Sequence, residues 1–194
     1  ILPLPNALEQ MIREPADCAF LAFHGQYGED GAVQGLLQTA GIPYTGSGIL
    51  ASALAYNKAA SLGIFTKAGL PIARSVVCTT QNPYPKELAD LTYPLFTKPV
   101  CGGSSLGVTL VKSRDGLNPG IDHALAHDDS ALAEEKINGV EVSCGVMDFI
   151  LNGEIVSRPL PPTLISPCDA EYFDYEAKYV PGKSRDVTPA PLPE

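Results

Sequence analysis

Positive charge is scarce in this sequence of 194 residues. Lys and Arg together number 13 against 22 Asp and Glu, which gives a formal net charge of −9. A surface of this sign repels both the phosphate backbone of nucleic acids and anionic lipid headgroups. We therefore expect neither nucleic acid nor a membrane as a partner, and any anionic ligand must be held by a few lysines placed locally.

Long apolar runs and paired cysteine motifs are missing as well. No run approaches the ~18 apolar residues needed to cross a bilayer, and the sequence does not open with the basic and then apolar segments of a secretory signal. The five cysteines are odd in number, widely spaced and without a C-x-x-C pair. This usage argues against a disulfide framework and predicts a reducing, cytoplasmic setting. Because the sequence starts with Ile1 rather than Met, its ends need not be natural.

Several catalytic signatures are also lacking. The sequence has neither a P-loop nor the dinucleotide-binding glycine fingerprint, and it has no G-x-S-x-G elbow of a serine hydrolase. His123 and His127 have the i, i+4 spacing of zinc ligands, but the glutamate of H-E-x-x-H is absent and no third ligand is apparent. We therefore expect no metal site among these residues.

The first part of the sequence has the pattern of a parallel α/β unit. The apolar run at 18–23 predicts a buried strand, Asp30 is placed to cap a helix that Gly41 ends, and a second short strand follows. This order of elements predicts a parallel sheet. His24 follows the first strand, where such sheets present ligand-binding groups; a capping role is the alternative. A long helical stretch then follows, with a break near Asn57.

The rest of the sequence favours strands. Residues 93–113 predict two strands joined by a glycine-rich loop. Asn152-Gly153, the pair preferred in type I′ turns, predicts a β-hairpin. The segment after residue 161 is rich in proline and tyrosine and is expected to be irregular. The change in composition places a domain change near residues 45–57.

The glycine-rich loop "CGGSSLG" at 101–107 indicates a ligand-binding element. Gly102 and Gly103 let backbone N–H groups approach an anion without an intervening Cβ. Lys98, just before the loop, supplies a cation at the same place, so the pattern favours a flap over a phosphate group. A plain hairpin turn beside an unrelated exposed lysine is the alternative.

Two further segments carry candidate ligands. Glu134 and Glu135 at a strand end, with Glu141 beyond a turn, are suited to an adenine amino group and ribose hydroxyls, although a solvated acidic edge has the same pattern. Lys178 and Tyr179 stand side by side in "FDYEAKY". A lysine beside a phenol suits charge stabilisation at a reacting centre, and aromatic anchoring of a loop is the alternative.

Four segments then occur in one order: "HGQYGEDGAVQGLLQTAGIPYTGSGILASALAYNK", "YPLFTKPVCGGSSLGV", "EEKINGVE" and "FDYEAKY". Together they resemble the D-alanine–D-alanine ligase family of the ATP-grasp superfamily, from about Cys18 onward. The resemblance implies an α/β (α+β) ATP-grasp fold in three parts. These are the end of an N-terminal parallel α/β domain (1–46), a central subdomain with the glycine-rich loop (47–134) and the start of a C-terminal subdomain with a lid loop (135–194).

The resemblance also implies roles for individual residues. Lys58, Lys98 and Lys178 contact the ATP phosphates, Glu134 faces the adenine amino group beside the backbone at Ile137, and Glu141 faces the ribose. The whole nucleotide-binding set is Lys58, Lys98, Ser104, Ser105, Glu134, Glu135, Ile137, Glu141 and Lys178. The implied catalytic set is His24 and Glu29 near the first D-alanine, with Ser104 and Tyr179 in a hydrogen-bonded lid.

The implied activity is the ATP-dependent joining of two D-alanine molecules through a D-alanyl phosphate, for peptidoglycan synthesis in the cytoplasm. The resemblance implies Mg²⁺ as a cofactor, with its ligands and a catalytic arginine expected beyond residue 194, and a homodimer. On this basis the given chain alone is expected to be inactive. Asn57 replaces the aspartate usual in the family, and we expect little effect.

Two alternatives to this activity stay open. A relative could make D-Ala-D-Ser or D-Ala-D-lactate instead, although the lid sequence "YEAKY" favours an amine acceptor. A non-catalytic ATP-binding module is the second alternative.

Overall fold

The computed structural model describes residues 4–14, 16–168 and 171–192. The chain divides into two compact units, Ile1–Glu135 and Lys136–Glu194. The helices of the first unit are α1 (Leu4–Arg13), α2 (Ala32–Thr39), α3 (Ile49–Tyr56), α4 (Lys58–Lys67) and α5 (Leu117–Leu125). Its strands are β1 (Ser75–Thr79), β2 (Leu95–Pro99), β3 (Thr109–Val111) and β4 (Ser130–Glu135). None of the described helices is both long and apolar enough to span a membrane.

The segment before α2 pairs in the predicted parallel direction, but it does not form the predicted strand. Within the described part of the chain, residues 18–23 pair through a single parallel bridge, Ala19 with Tyr44. Phe20 remains 81% exposed and Phe23 59% exposed, so the prediction of a buried strand was wrong. The physical reason is that one bridge is too little pairing to bury the side chains on either face of an extended segment.

The N-cap of α2 is Gly31, in a left-handed conformation, so the prediction of Asp30 as the N-cap was wrong by one residue. The helix start is nevertheless bound by the side chain of Asp30. One oxygen of its carboxylate accepts a hydrogen bond from the Ala32 N–H at 3.0 Å and the other from the Tyr27 N–H at 2.8 Å. At the other end, Gly41 adopts φ 70° and donates its N–H to the Gln38 carbonyl. A left-handed residue just past the last turn is the usual end of a helix.

The predicted break in the long helical stretch lies at Asn57. Its backbone is extended, with φ −92° and ψ 104°, and its side chain accepts a hydrogen bond from the Ala60 N–H. The residue therefore ends α3 and caps α4 at the same time. An aspartate would fill the same capping role.

The four strands of the first unit form one antiparallel sheet in the order β1-β4-β2-β3. Helix α5 packs on one face of the sheet. The core between them includes Leu117 and Ile121 from α5, and Cys78, Leu95 and Val111 from the strands. Gly120 makes this packing close, because a Cβ there would lie 2.6 Å from the Thr97 hydroxyl oxygen.

The other face of the same sheet carries charge. Lys98 pairs with Leu132 and Phe96 pairs with Glu134 in the β2–β4 register. Since residues directly opposite share a face, Lys98 and Glu134 are diagonal neighbours on the face away from α5. The sheet thus separates an apolar core from a face that displays a lysine and a glutamate.

The second unit contains β5 (Glu141–Ser143), β6 (Val146–Leu151), β7 (Glu154–Pro159), β8 (Thr163–Pro167), α6 (Tyr175–Tyr179) and β9 (Ser184–Val187). The hairpin β6–β7 turns at Asn152 and Gly153 with φ 55° and 85°. These positive values at both central residues are those of a type I′ turn, which confirms the prediction.

The segment after residue 161 was expected to be irregular, and this was wrong for β8, β9 and α6. Strand β8 lies between β5 and β9 in an antiparallel sheet. Its partners are distant in sequence, so no local pattern revealed the pairing. The domain bounds at residues 46 and 134 stay predictions.

Candidate active site

Lys58 is the first residue of α4 and reaches the base of the glycine-rich loop. Its backbone N–H donates to the Val100 carbonyl at 3.0 Å. Its ammonium group donates to the Gly102 carbonyl at 3.0 Å and lies 3.4 Å from the Val100 carbonyl. The break at Asn57 therefore places the lysine against the loop.

Lys98 forms a close ion pair with Glu134. Its Nζ lies 2.7 Å from Oε1 of Glu134, and the two side chains are only 22% and 18% exposed. Partial burial of the ammonium group, and then the nearby positive charge of Lys98, lower the pKa of Lys58. The structure thus brings Lys58, Lys98 and Glu134 together at one cleft, and their roles as nucleotide ligands stay predictions.

The glycine-rich loop has an unusual backbone. Gly102, Ser104, Ser105 and Gly107 adopt φ 132°, 54°, 56° and 70°. Residues other than glycine avoid this region. Each one costs of order 1–3 kcal/mol, so it persists only where the surrounding structure imposes the conformation. Two consecutive serines at positive φ indicate that the surrounding structure fixes the backbone of this loop in one conformation.

Two clefts lie on either side of Lys58. One, of about 580 Å³, is mainly apolar and is lined by side chains of α3 and α4 together with Lys58, Lys98 and Glu134. The other, of about 470 Å³, is more polar and includes Glu29, Lys58 and the loop residue Gly103. A phosphate group near Lys58 would therefore lie between an apolar pocket suited to a nucleobase and a polar one suited to a small substrate.

Glu29 lies at the polar cleft, and His24 lies at the turn that Glu29 closes. The carboxylate of Glu29 accepts the Gly25 N–H at 2.5 Å, and its Oε2 is 3.7 Å from the position of a Cβ built on Gly103. His24 is exposed beside this turn. His24 follows the single-bridge segment 18–23 rather than a strand, and the role of both residues as substrate ligands stays a prediction.

Gln34 is a residue of this cleft that was not singled out from the sequence. It is 6% exposed, and its amide donates to the Gly28 carbonyl at 3.4 Å. Its Oε1 is buried without a hydrogen-bond partner among the described residues. The available signal was its place three residues before Leu37, because residues at this spacing share one face of a helix and Leu37 is buried.

Glu135 points away from the charged face. Successive strand residues alternate between faces, so its side chain is on the α5 side. There its carboxylate accepts the Thr92 N–H at 2.8 Å and lies 3.8 Å from the Arg74 guanidinium. Any contact of Glu135 with a nucleotide would therefore involve its backbone.

In the second unit, Lys178 and Tyr179 lie in the short helix α6 rather than in the expected loop. Asp174 caps this helix through the Ala177 N–H at 2.9 Å. The Lys178 ammonium is 5.4 Å from the centre of the Phe173 ring, and the Tyr179 ring packs against that of Tyr175 at 4.9 Å.

The other two predicted ligands of the second unit are exposed. Glu141 begins β5, and Ile137 has 69% of its surface exposed. Their roles stay predictions.

The two histidines with zinc-like spacing contact each other. The rings of His123 and His127 meet edge to face at 5.3 Å, and His123 lies 3.1 Å from the Thr109 hydroxyl. Throughout the described ranges, no three His, Cys, Asp or Glu side chains gather in a way that could hold a metal ion.

Comparison with known proteins identifies relatives over both parts of the chain. The family model described as D-ala D-ala ligase N-terminus matches residues 4–47, and that described as D-ala D-ala ligase C-terminus matches residues 62–194. The D-alanine–D-alanine ligase of Geobacter sulfurreducens is 42% identical over 190 residues, which cover 98% of this chain and 56% of that protein. The chain spans about half the length of the curated relatives it matches.

Solved structures agree with the sequence matches. The VanG D-Ala:D-Ser ligase of Enterococcus faecalis has a TM-score of 0.77 at 36% identity, covering 92% of this chain and 51% of that one. The D-alanine–D-alanine ligase of Bacillus anthracis complexed with ATP has a TM-score of 0.75 at 30% identity, covering 96% and 57%.

Proposed function

Because this chain belongs to the D-alanine–D-alanine ligase family and has its ATP-grasp fold, we propose that the whole protein joins two D-alanine molecules at the expense of ATP. The product, D-alanyl-D-alanine, serves peptidoglycan synthesis and therefore cell-wall formation and cell shape. We also propose that the protein acts in the cytoplasm as a homodimer. The observation that carries the proposal is the placement of Lys58 and Lys98 beside the strained glycine-rich loop.

The proposed chemistry begins with acyl activation. A carboxylate oxygen of the first D-alanine attacks the γ-phosphorus of ATP, the bond to the β-phosphate oxygen breaks, and ADP leaves. Both reactants are anions, so the approach needs positive charge at the site. In a chain of net charge −9, Lys58 and Lys98 supply that charge locally, and we assign Lys178 to the γ-phosphate.

The second step uses the acyl phosphate. The amine of the second D-alanine attacks the acyl carbon, the amide bond forms, the amine loses a proton and inorganic phosphate departs. Water would compete for the same carbon, so the site must close. We assign closure to Ser104 and Ser105 in the loop and to Tyr179.

The remaining assignments follow the two clefts. The polar cleft takes the first D-alanine, with His24 and Glu29 at its turn. The apolar cleft suits the adenine. The adenine amino group donates a hydrogen bond to Glu134 once the phosphates draw Lys98 away from that carboxylate. We assign the ribose to Glu141, and the adenine edge to backbone at Glu135 and Ile137.

Magnesium commonly assists phosphoryl transfer by neutralising charge on the phosphates. The described residues contain no group of three His, Cys, Asp or Glu side chains that could hold an ion. They do not fit a metal site, and none of them is assigned to one.

Steady-state assays test the proposed function. The protein is incubated with ATP and D-Ala alone, or with D-Ala plus D-Ser or D-lactate, and ADP and the joined product are both quantified. We expect D-alanyl-D-alanine and ADP in equal amounts. Preferential use of D-Ser would favour the activity named for VanG, to which the chain is 36% identical. Tight ATP binding without ADP formation in any mixture would identify a binding module instead.

A further inference from the structure

Asp128 binds the backbone at the start of the glycine-rich loop. One of its oxygens, Oδ2, accepts the Cys101 N–H at 2.7 Å, and the other accepts the Asp129 N–H at 2.9 Å. The side chain is partly buried. Backbone N–H groups that donate to an ionised carboxylate make short, strong hydrogen bonds, so both oxygens of Asp128 are occupied by the chain itself.

The same stretch of loop is held from its other side by α4. Asn57 and Cys101 form a backbone bridge, and the Lys58 ammonium donates to the Gly102 carbonyl at 3.0 Å. Burial and then Lys98 lower the pKa of Lys58, and the negative charge of Asp128 opposes that shift. The charge of Asp128 therefore favours the protonated form of Lys58.

The far end of the loop packs against His127, the residue before Asp128. A Cβ on Gly107 would lie 2.7 Å from the Cδ2 atom of His127 and 2.8 Å from Cγ of Pro99. The short segment between α5 and β4 thus contacts both ends of the loop, through a hydrogen bond at Cys101 and through packing at Gly107. Contacts at both ends restrain the backbone of the loop, in which Ser104 and Ser105 adopt positive φ.

We propose that Asp128 is a positioning residue that fixes the glycine-rich loop, and through the Gly102 carbonyl the Lys58 ammonium, for a phosphate group without touching the nucleotide itself. This inference rests on the proposed function for the identity of the ligand. A carboxylate this near an anion site would repel the ligand if its charge were not already engaged by N–H groups and a lysine. Asparagine cannot replace it, because its amide offers one acceptor where two N–H groups must be accepted.

Three variants of the protein test this role. Asp128→Ala removes both acceptors, Asp128→Asn keeps the size and one acceptor, and Asp129→Asn is the matched control. Asp129 is adjacent and exposed, so its replacement changes the net charge equally without touching the loop. Hydrogen exchange is measured at the Leu106 and Val108 amides, which bond within the loop to the Gly103 and Ser105 carbonyls. Calorimetric titrations with ATP and with adenosine are made on the same samples.

We expect exchange at both amides to rise in Asp128→Ala and Asp128→Asn, and ATP to bind about tenfold more weakly, the usual effect of losing a hydrogen bond to a charged group. Adenosine, which has no phosphates, should bind the variants and the natural protein equally. Asp129→Asn should match the natural protein in all three measurements. A general loss of structure would instead weaken ATP and adenosine together.

Loop exchange that is unchanged in both Asp128 variants would overturn the inference, whatever happens to ATP. So would faster exchange with unchanged ATP affinity, because the loop position would then not matter to the phosphates. Failure of the natural protein to bind ATP would instead overturn the proposed function, and with it the phosphate as ligand. The exchange contrast between Asp128 and Asp129 would still decide whether Asp128 anchors the loop.

Discussion

The Lys98 ammonium and the Glu134 carboxylate, 2.7 Å apart on diagonal positions of adjacent strands, neutralise each other on the charged face of the central sheet. Both side chains are largely shielded from water, so each depends on the other for its charge to be tolerated. A nucleotide bound here must therefore offer a phosphate to the lysine and a hydrogen-bond donor to the glutamate. This exchange of partners underlies the first two predictions.

Replacing Lys98 by alanine should weaken ATP binding by about 10- to 100-fold, the range for a hydrogen bond to a charged group. The phosphates lose a counter-charge that Lys58 alone does not replace. Titration calorimetry measures the affinity, and Lys86→Ala, which replaces an exposed lysine lining a different cleft, is the control. Unchanged affinity in Lys98→Ala would remove the lysine from the phosphate site.

Glu134→Gln should raise the affinity for a bare polyphosphate while lowering the preference between two nucleotides. Inorganic tripolyphosphate should bind several-fold more tightly, because Lys98 is released from its ion pair. The preference for ATP over GTP should fall, since the amide no longer offers a carboxylate to the adenine amino group. Competition titrations with the three ligands measure both effects, with the exposed Glu87→Gln as the control. A parallel loss of affinity for all three ligands would show that Glu134 only supports the fold.

The lowered pKa of Lys58 predicts a pH dependence of ATP binding. Burial and the charge of Lys98 bring this pKa below the ordinary lysine value of 10.5. As pH rises through the lowered pKa, Lys58 loses its proton and its attraction for phosphate, so affinity should fall at a pH where an ordinary lysine is still charged. Kd is measured between about pH 7 and 10.

Two variants test whether Lys58 is the group responsible for this pH dependence. Lys58→Gln, uncharged throughout, should lose the step, and Lys98→Ala should move the step to higher pH by removing one cause of the shift. A step that persists in Lys58→Gln would assign it to another group.

Local chemistry predicted the parts of the site that depend on neighbouring residues. The break at Asn57, the end of α2 at Gly41 and the hairpin turn at Asn152-Gly153 each follow from the side chain or the backbone freedom of the residue itself. The glycine-rich loop belongs to the same group, because its glycines and the lysine before it are close in sequence.

The parts that were missed depend on distant partners. Asp128 accepts a hydrogen bond from Cys101, which is 27 residues away in sequence. Strand β8 pairs with two strands that are also distant in sequence. Glu135 was placed with Glu134, although the register of β4 sends the two carboxylates to opposite faces. The apolar content of 18–23 led to the prediction of a buried strand. Burial, however, depends on the elements that pack against a segment, and the sequence of the segment does not specify them.

Tyr179→Phe should slow formation of the dipeptide more than it weakens ATP binding. The phenol hydroxyl is assigned to closure over the acyl phosphate, which matters after ATP has bound. Tyr175→Phe is a matched control, since its ring packs against that of Tyr179 in the same short helix. Single-turnover assays and ATP titrations separate the two effects. Equal losses in rate and affinity would contradict a role in closure.

The contact between Thr97 and Gly120 predicts stability changes that leave the site intact. The Thr97 side chain is fully buried, and its hydroxyl has no hydrogen-bond partner in the described part of the chain. Thr97→Val removes this unsatisfied group at similar size and should stabilise the fold by about 1 kcal/mol. Gly120→Ala should destabilise it by about 1–3 kcal/mol, because the new Cβ would lie 2.6 Å from the Thr97 hydroxyl oxygen and 2.9 Å from Cγ2 of Val111.

Denaturant unfolding measures both free energies of unfolding. ATP affinity should be unchanged in Thr97→Val, since the residue faces α5 while Lys98 beside it faces the cleft. In the Thr97→Val background, Gly120→Ala should cost at least as much stability as it does alone, because a valine methyl in place of the hydroxyl leaves the same crowding. A clearly smaller cost in that background would mean that the hydroxyl, rather than the close approach of α5 to β2, limits the packing of this core.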